Sequence, residues 1–335
     1  MRLGVLDQSP VLSGHSATEA IRETLELARL ADSLGFHRYW LAEHHAIAAL
    51  ADPCPEILVG QVAAVTSRIR VGTGGVLMPY YSPLKVAEVF RMHEALFPGR
   101  IDLGLGRAPG GDMRTAQALS QGAFDAAERF PEQVQELIGH LDGTLPAGHP
   151  HARLRVQPEI DHAPEVWLLG SSDYSGALAA HLGLRFAFAQ FISGPGGDSV
   201  MRDYRAHYRP SSREPVPYSI VCVFVICADT MEEAERLAKS VDLRRIHMAK
   251  GIESAVPTVE ESEAYPWTEP ERAYAGQQRN RTVIGDPGTV RERLLALAER
   301  CQADELMVLS ITGDCASRRR SYRLIAEAFE LSASA

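Results

Sequence analysis

The feature that most constrains the fold is a rhythm of short apolar runs alternating with amphipathic stretches of helical period, joined by short links. Leu3–Leu6, Tyr39–Ala42, Ile69–Val76, Ile101–Gly106, Glu165–Gly170, Arg185–Ala189, Tyr218–Ala228 and Glu305–Leu309 read as strands. Thr18–Leu34 reads as the first helix, closed by Gly35 where a C-cap glycine belongs, and Pro55–Ser67 as the second, with proline in its first turn. Pro83–Leu96, Glu128–Leu141, Tyr174–Leu182, a segment near Asp198–His207, Met231–Ala249, Thr289–Arg300 and Ser317–Leu331 continue the series. Such alternation predicts a parallel sheet with right-handed crossovers. Eight strands of it predict an α/β fold of the closed (β/α)8 kind, the TIM barrel, over residues 1–335 as one domain.

Two segments break the rhythm. Residues 142–164, after the fourth strand, are rich in His, Pro and Gly and read as an excursion outside the barrel, with His149, His151 and His162 solvated. Residues 251–281, after the seventh strand, are polar, hold Pro257, Pro266 and Pro270, and read as a lid or mobile loop.

Composition narrows the function classes. A chain of 335 residues, 45% hydrophobic, can bury a core without disulfides. Its five cysteines are scattered and form no CxxC, so they read as buried thiols in a reducing cytoplasm. A net charge of −9 argues against nucleic acid as a general partner. No apolar stretch reaches the roughly 20 residues of a membrane helix, and the start shows no signal-peptide pattern. The expectation is a cytoplasmic protein without a membrane partner.

In a parallel barrel, residues just past a strand's C-terminal end face the active site. Glu43-His44-His45 follow the second strand directly. Histidine exchanges protons near neutral pH, so the position favours acid–base work over the ordinary reading of surface histidines. Zinc is disfavoured, because neither HExxH nor a partner cluster accompanies them, and no metal is expected. Thr73-Gly74-Gly75 ends the third strand; adjacent glycines there serve either tight packing or close approach to a flat ligand. Gly104-Leu-Gly-Arg-Ala-Pro-Gly-Gly111 invites a dinucleotide reading with Asp125 as the ribose acid. The spacing misses GxGxxG, Pro109 stands where the helix should begin, and that reading is discounted. Arg107 is better placed as a phosphate clamp. Gly170-Ser-Ser-Asp-Tyr-Ser175 leads into a helix, and three serines in five residues exceed what one N-cap requires.

Taken together, Trp40–His45, Val71–Pro79, Gly99–Arg107 and Leu169–Ser175 resemble, in order and separation, the bacterial luciferase-like monooxygenase family, and its single-component members more than its light-emitting subunits. The resemblance implies a TIM barrel that takes reduced FMN from a separate flavin reductase and uses O2 on an aldehyde or other small organic substrate. It implies His44 as the catalytic imidazole, with Glu43 and His45 beside it, and a non-proline cis peptide at Gly74–Gly75 under the flavin ring, next to Thr73. Arg107, Ser172 and Ser175 match the phosphate-binding positions; Ser171 and Tyr174 would add backbone N–H groups, and Arg129 falls near a second phosphate arginine. Asp7 and Gln8 would line the substrate pocket. Gly106 stands where light emitters carry cysteine, and Ser171 where they carry an acid, which argues against bioluminescence. The resemblance also implies a homodimer through the second and third helices. An F420-dependent hydride-transfer enzyme and a non-catalytic flavin-binding protein are the alternatives on the same fold.

Overall fold

The structure, a computed structural model, describes residues 1–120, 127–193 and 196–332. Its strands are β1 (Arg2–Asp7), β2 (Arg38–Leu41), β3 (Arg70–Thr73), β4 (Val76–Leu77), β5 (Ile101–Gly106), β6 (Glu165–Gly170), β7 (Arg185–Ala189), β8 (Ser219–Cys227), β9 (Thr282–Gly285) and β10 (Glu305–Leu309). All pair in parallel, and β10 bonds to both β1 and β8, so eight of them (β1, β2, β3, β5, β6, β7, β8 and β10) form a closed barrel. The expected (β/α)8 architecture is therefore present.

Period-two alternation separates the two faces of each stave. On β2, Tyr39 and Leu41 pack outward against the helices, while Trp40 points inward to meet Trp167 edge-on at 5.2 Å. The helical layer begins with α1 (Ala17–Leu34), started by a capping box between Ser16 and Glu19 and stopped by Gly35 at φ 88°. α2 (Pro55–Val65) and α3 (Pro83–Leu96) follow, each with proline in the first turn.

Charge closes the N-terminal end of the barrel. Arg38, 1% exposed, donates to Asp102 at 2.7 Å, Glu305 at 2.8 Å and Glu165 at 3.1 Å, and lies 4.7 Å over the Trp167 ring. Removing one member of such a network leaves buried charge unpaired and costs about 3–5 kcal/mol. With that floor sealed, a ligand enters from the strands' C-terminal ends.

The structure departs from the sequence expectations in several places. The third strand is not continuous over 69–76: it breaks at a cis Gly74–Gly75 peptide and resumes as β4, which pairs with β5. Residues 107–120 include α4 (Met113–Leu119), begun by Asp112. Asp125 lies outside the described residues. Segment 251–281 is not a plain loop, for it contains α9 (Val259–Ala264) and α10 (Glu269–Gln278), each started by a capping box, Thr258 with Glu261 and Thr268 with Glu271. β9 then pairs with Phe224–Cys227, above the register β8 shares with β7, so α8 (Met231–Ala249) through β9 form a cap on the C-terminal rim. This cap touches the loop after β1, where Ser13 N donates to Val256 O at 2.8 Å and Ser13 Oγ to Glu261 at 2.7 Å.

The remaining helices are α5 (Phe130–Asp142), α6 (Asp173–Leu182), α7 (Gly197–Ala206), α11 (Pro287–Cys301) and α12 (Cys315–Ala328). No helix among the described residues is long and apolar enough to cross a membrane. Three cysteines are buried, but Cys54 and Cys315 are only half-buried, because both sit at helix starts on the rim.

Candidate functional site

A cavity opens at the C-terminal ends of the strands. Glu43, His44, Gly74, Gly75, Gly106, Arg107, Ser171, Ser172, Ser175 and Gln8 all stand on its wall, so four separate sequence motifs meet around one space.

His44 projects from the residues just after β2. Its Nδ1 lies 3.4 Å from the Ala42 carbonyl, an oxygen that only accepts, so the neutral ring carries its proton on Nδ1 and leaves the Nε2 lone pair free. Burial pushes the imidazole down to about 4, and the charges of Arg244 and His45 act in the same direction. Arg244, on α8 in the cap, is 9% exposed, has no hydrogen bond or ion pair among the described residues, and is itself lowered to about 10 by burial and by Arg245. The ring at the mouth is therefore held neutral at physiological pH.

Glu43 is tied to three neighbours. Its carboxylate is buried and accepts from the Leu77 backbone N–H at 2.9 Å, from the Tyr81 hydroxyl at 2.8 Å, and makes a 2.8 Å contact with His45 Nε2. That fixes the stretch after the cis peptide against the end of β2. His45 faces Glu43 and the edge of the Tyr80 ring and is absent from the cavity wall. Asp52 was not foreseen. Its carboxyl is 2% exposed, one oxygen has no partner among the described residues, and burial raises it to about 7, just behind the His44 backbone N–H that its carbonyl accepts at 3.0 Å. Nothing in Ala51-Asp52-Pro53 announces that environment.

The glycines are required by close approach. A Cβ on Gly75 would stand 2.7 Å from the Gly104 carbonyl oxygen, and one on Gly104 2.1 Å from that of Thr73. Thr73 is buried beneath this crossing, where its hydroxyl donates to Gly104 O at 3.0 Å and accepts from Gly104 N at 3.2 Å, so it supports the wall without lining it.

On the opposite wall, Ser172 is the N-cap residue of α6 but makes no side-chain capping bond, so its hydroxyl is not spent on the helix. Arg107, exposed at the end of β5, stacks 4.2 Å over the Tyr174 ring and pairs with no carboxylate among the described residues. Tyr174 thus orients the guanidinium instead of lining the cavity. Arginine, serine hydroxyls and a helix N-terminus are the groups that suit an anion. Gly75, Gly106 and the apolar Leu6, Leu77 and Met307 make a surface on which a flat ring can rest, so the residues present suit a singly phosphorylated flavin.

Two further expected residues fall elsewhere. Asp7 does not line the cavity: it is fully buried and held by Arg318 at 2.6 Å, by the Ser9 N–H at 2.8 Å and by Tyr39 at 2.5 Å. Burial alone would raise its carboxyl, but Arg318 and these hydrogen bonds keep it below the usual range. Arg129 is exposed at the start of α5, off the wall. The apolar lining, including Leu169, Phe188, Phe191 and Cys222, was not singled out. For Leu169 and Cys222 the signal was the inward phase of their strands, readable once the barrel axis is known; Phe188 is on the opposite phase of β7 and Phe191 lies in the turn beyond it.

A family model described as luciferase-like monooxygenase matches residues 1–304. The uncharacterised protein YceB of Bacillus subtilis is 44% identical over 329 residues, 98% of this chain and 99% of its own. A luciferase-like monooxygenase of Escherichia coli K12 is 39% identical over 320 residues, 96% of this chain and 94% of its own. The crystal structure of apo-MsnO8 superposes with a TM-score of 0.92 at 41% identity, covering 99% of both chains. F420-dependent enzymes share the fold at 12 and 13% identity, where likeness speaks to architecture alone, and the F420 alternative has no further support. Barrel, mouth and relatives agree: the chain belongs to the luciferase-like monooxygenases, a family of FMN-dependent oxidoreductases.

Proposed function

We propose that the chain is the oxygenase of a two-component system, taking reduced FMN from a separate reductase and using O2 on a small organic substrate such as an aldehyde. One observation carries the reading: a neutral imidazole and an arginine–serine cluster share one cavity, with the glycine crossing between them. FMN, when bound, would supply the reducing electrons that activate O2. Arg107, Ser172, Ser175 and the N–H groups at the start of α6 would hold the phosphate, and Gly74–Gly75 would let the ring lie against backbone. His44 Nε2 would accept a proton or hydrogen bond at the reacting edge, while Glu43 and His45 fix the segment that carries it. Leu6, Trp40, Leu77 and Met307 would exclude water.

The test is to mix the protein with reduced FMN in aerated buffer and follow flavin reoxidation by stopped flow. The bound flavin should reoxidise with kinetics distinct from free flavin, in a manner that changes in His44→Ala. Reoxidation indistinguishable from free flavin, and indifferent to His44, would leave only flavin storage. A homodimer is also supported, since Ile57 on α2 and Met92 and Leu96 on α3 are 62%, 52% and 62% exposed on neighbouring helices. Light scattering should give twice the chain mass, and Leu96→Glu should halve it.

A further inference from the structure

Far from the mouth, three ligand-bearing side chains converge where the helical layer meets the 142–164 excursion. Glu136 and His140 lie four residues apart on α5 and so share one face of the helix. The excursion brings His151 back to them. His151 Nδ1 is 2.7 Å from Glu136 Oε1, and His140 Nε2 is 3.5 Å from the same oxygen. The three donor atoms all lie within 4.8 Å of one another. His140 is 2% exposed, and beyond the 3.5 Å approach to Glu136 its Nε2 has no hydrogen-bond partner among the described residues, so a buried ring nitrogen faces this cluster. The His140 and His151 rings stack with centroids 6.2 Å apart, and His149 meets His151 edge-on at 5.3 Å.

The loop carrying His151 is anchored on both sides of the helix pair. Arg91 of α3 donates to Val156 O at 2.8 Å, to Pro158 O at 3.3 Å and to Leu141 O at 3.0 Å. Gln133 Nε2, on the first turns of α5, reaches Tyr81 O near the cavity side, whereas Asp142 at the far end pairs with Arg213 beside Pro164, which leads into the start of β6. The cluster therefore sits toward the strands' N-terminal ends, apart from the flavin site.

We propose that Glu136, His140 and His151 form a binding site for one borderline divalent cation, with Zn2+ as the ion of choice and water completing the shell. The donor set suits it: two imidazoles and one carboxylate are the ligands that zinc takes at about 2.0–2.2 Å. Bonds of that length around a tetrahedral ion put ligand atoms about 3.4 Å apart. The His140–Glu136 pair already has that separation, and half-exposed His151 needs only a small shift away from Glu136. The protonation states also suit. Burial lowers His140 against the pull of Glu136, favouring the neutral ring that binds metal. Burial would raise Glu136, but the His151 hydrogen bond and the charges of both histidines outweigh it and keep the carboxylate ionised. An ion there would pin the excursion to α5. The histidines read from sequence as solvated would then include a ligand: His151 was assigned to the surface because nothing in the local sequence pairs it with a residue 15 positions earlier.

The test uses the full chain, made without a histidine tag, stripped with chelator and dialysed. Titration with ZnCl2 by calorimetry should show one saturable equivalent per chain, and Co2+ should give the visible absorption of a four-coordinate ion. Glu136→Gln and His151→Ala, both on partly exposed side chains, should keep the circular dichroism of the fold and weaken Zn2+ binding at least about tenfold, whereas His44→Ala should leave it unchanged. His140→Asn is a third probe if it folds. No saturable uptake by roughly 100 µM Zn2+, or binding that survives Glu136→Gln and His151→Ala, would overturn the assignment and leave a hydrogen-bonded triad without a metal.

Discussion

Holding His44 neutral should have a measurable cost in acid. In the unfolded chain its imidazole titrates near 6.5, and in the folded protein burial holds it at about 4. A depressed histidine destabilises the fold wherever the unfolded chain takes up the proton first. The penalty is therefore absent above 6.5 and grows as pH falls from 6.5 toward 4. At about pH 4.5 the two-unit gap is worth roughly 2.7 kcal/mol, less about 0.2 because the folded ring has begun to protonate, or ~2.5 kcal/mol. His44→Gln keeps a polar side chain of similar reach but removes the titration. Urea unfolding of both proteins at about pH 7.5 and 4.5 isolates this contribution, because other groups titrate alike in both and cancel in the difference. The wild type should lose ~2.5 kcal/mol more than the variant over that range. Losses that agree within about 0.5 kcal/mol, or a His44 ring signal with a midpoint near 6.5 by NMR, would show that the ring is solvated, and the argument for a neutral acceptor at the mouth would fail.

The remaining predictions concern its neighbours. Arg244→Met removes a positive charge that helps depress His44, so the NMR midpoint of His44 should rise. Asp52→Asn should stabilise the protein at pH 8: its raised carboxyl supports the fold below 3.8 and loses that support as pH rises through about 7, so removing the buried charge should recover about 2–4 kcal/mol by chemical denaturation. Arg107→Met should weaken FMN binding about 10–100-fold by flavin fluorescence while leaving riboflavin binding unchanged, since only the phosphate uses the guanidinium. Gly75→Ala, with a Cβ 2.7 Å from Gly104 O, should cost about 1–3 kcal/mol in stability and also weaken FMN binding; an unchanged melting point would show that the crossing yields.

The barrel itself was legible because strand and helix periods are local properties. Tyr39-Trp40-Leu41 declares a buried strand, and Ser16-x-x-Glu19 with Gly35 declares where α1 begins and ends, whatever else the chain does. The capping boxes at Thr258 and Thr268 were equally local and could have been read within the segment taken for a loop. The approximate site followed from the same logic, since residues after parallel strands gather at one rim. What each of those residues does was not local. Asp7, His45 and Thr73 lie at the C-terminal ends of strands as His44 does, yet each is consumed by a structural partner: Arg318 311 positions away, Glu43, and Gly104 across the β3–β5 crossing.

Linear order thus determined the alternation, the barrel and the four motifs around its mouth, because backbone propensity and apolar period act over a few residues. Only tertiary structure decided which side chains reach the cavity, that the cap brings Arg244 toward His44, and that His151 meets Glu136 and His140. Burial and charge are set by whichever groups pack alongside, and in a closed barrel those neighbours come from all along the chain.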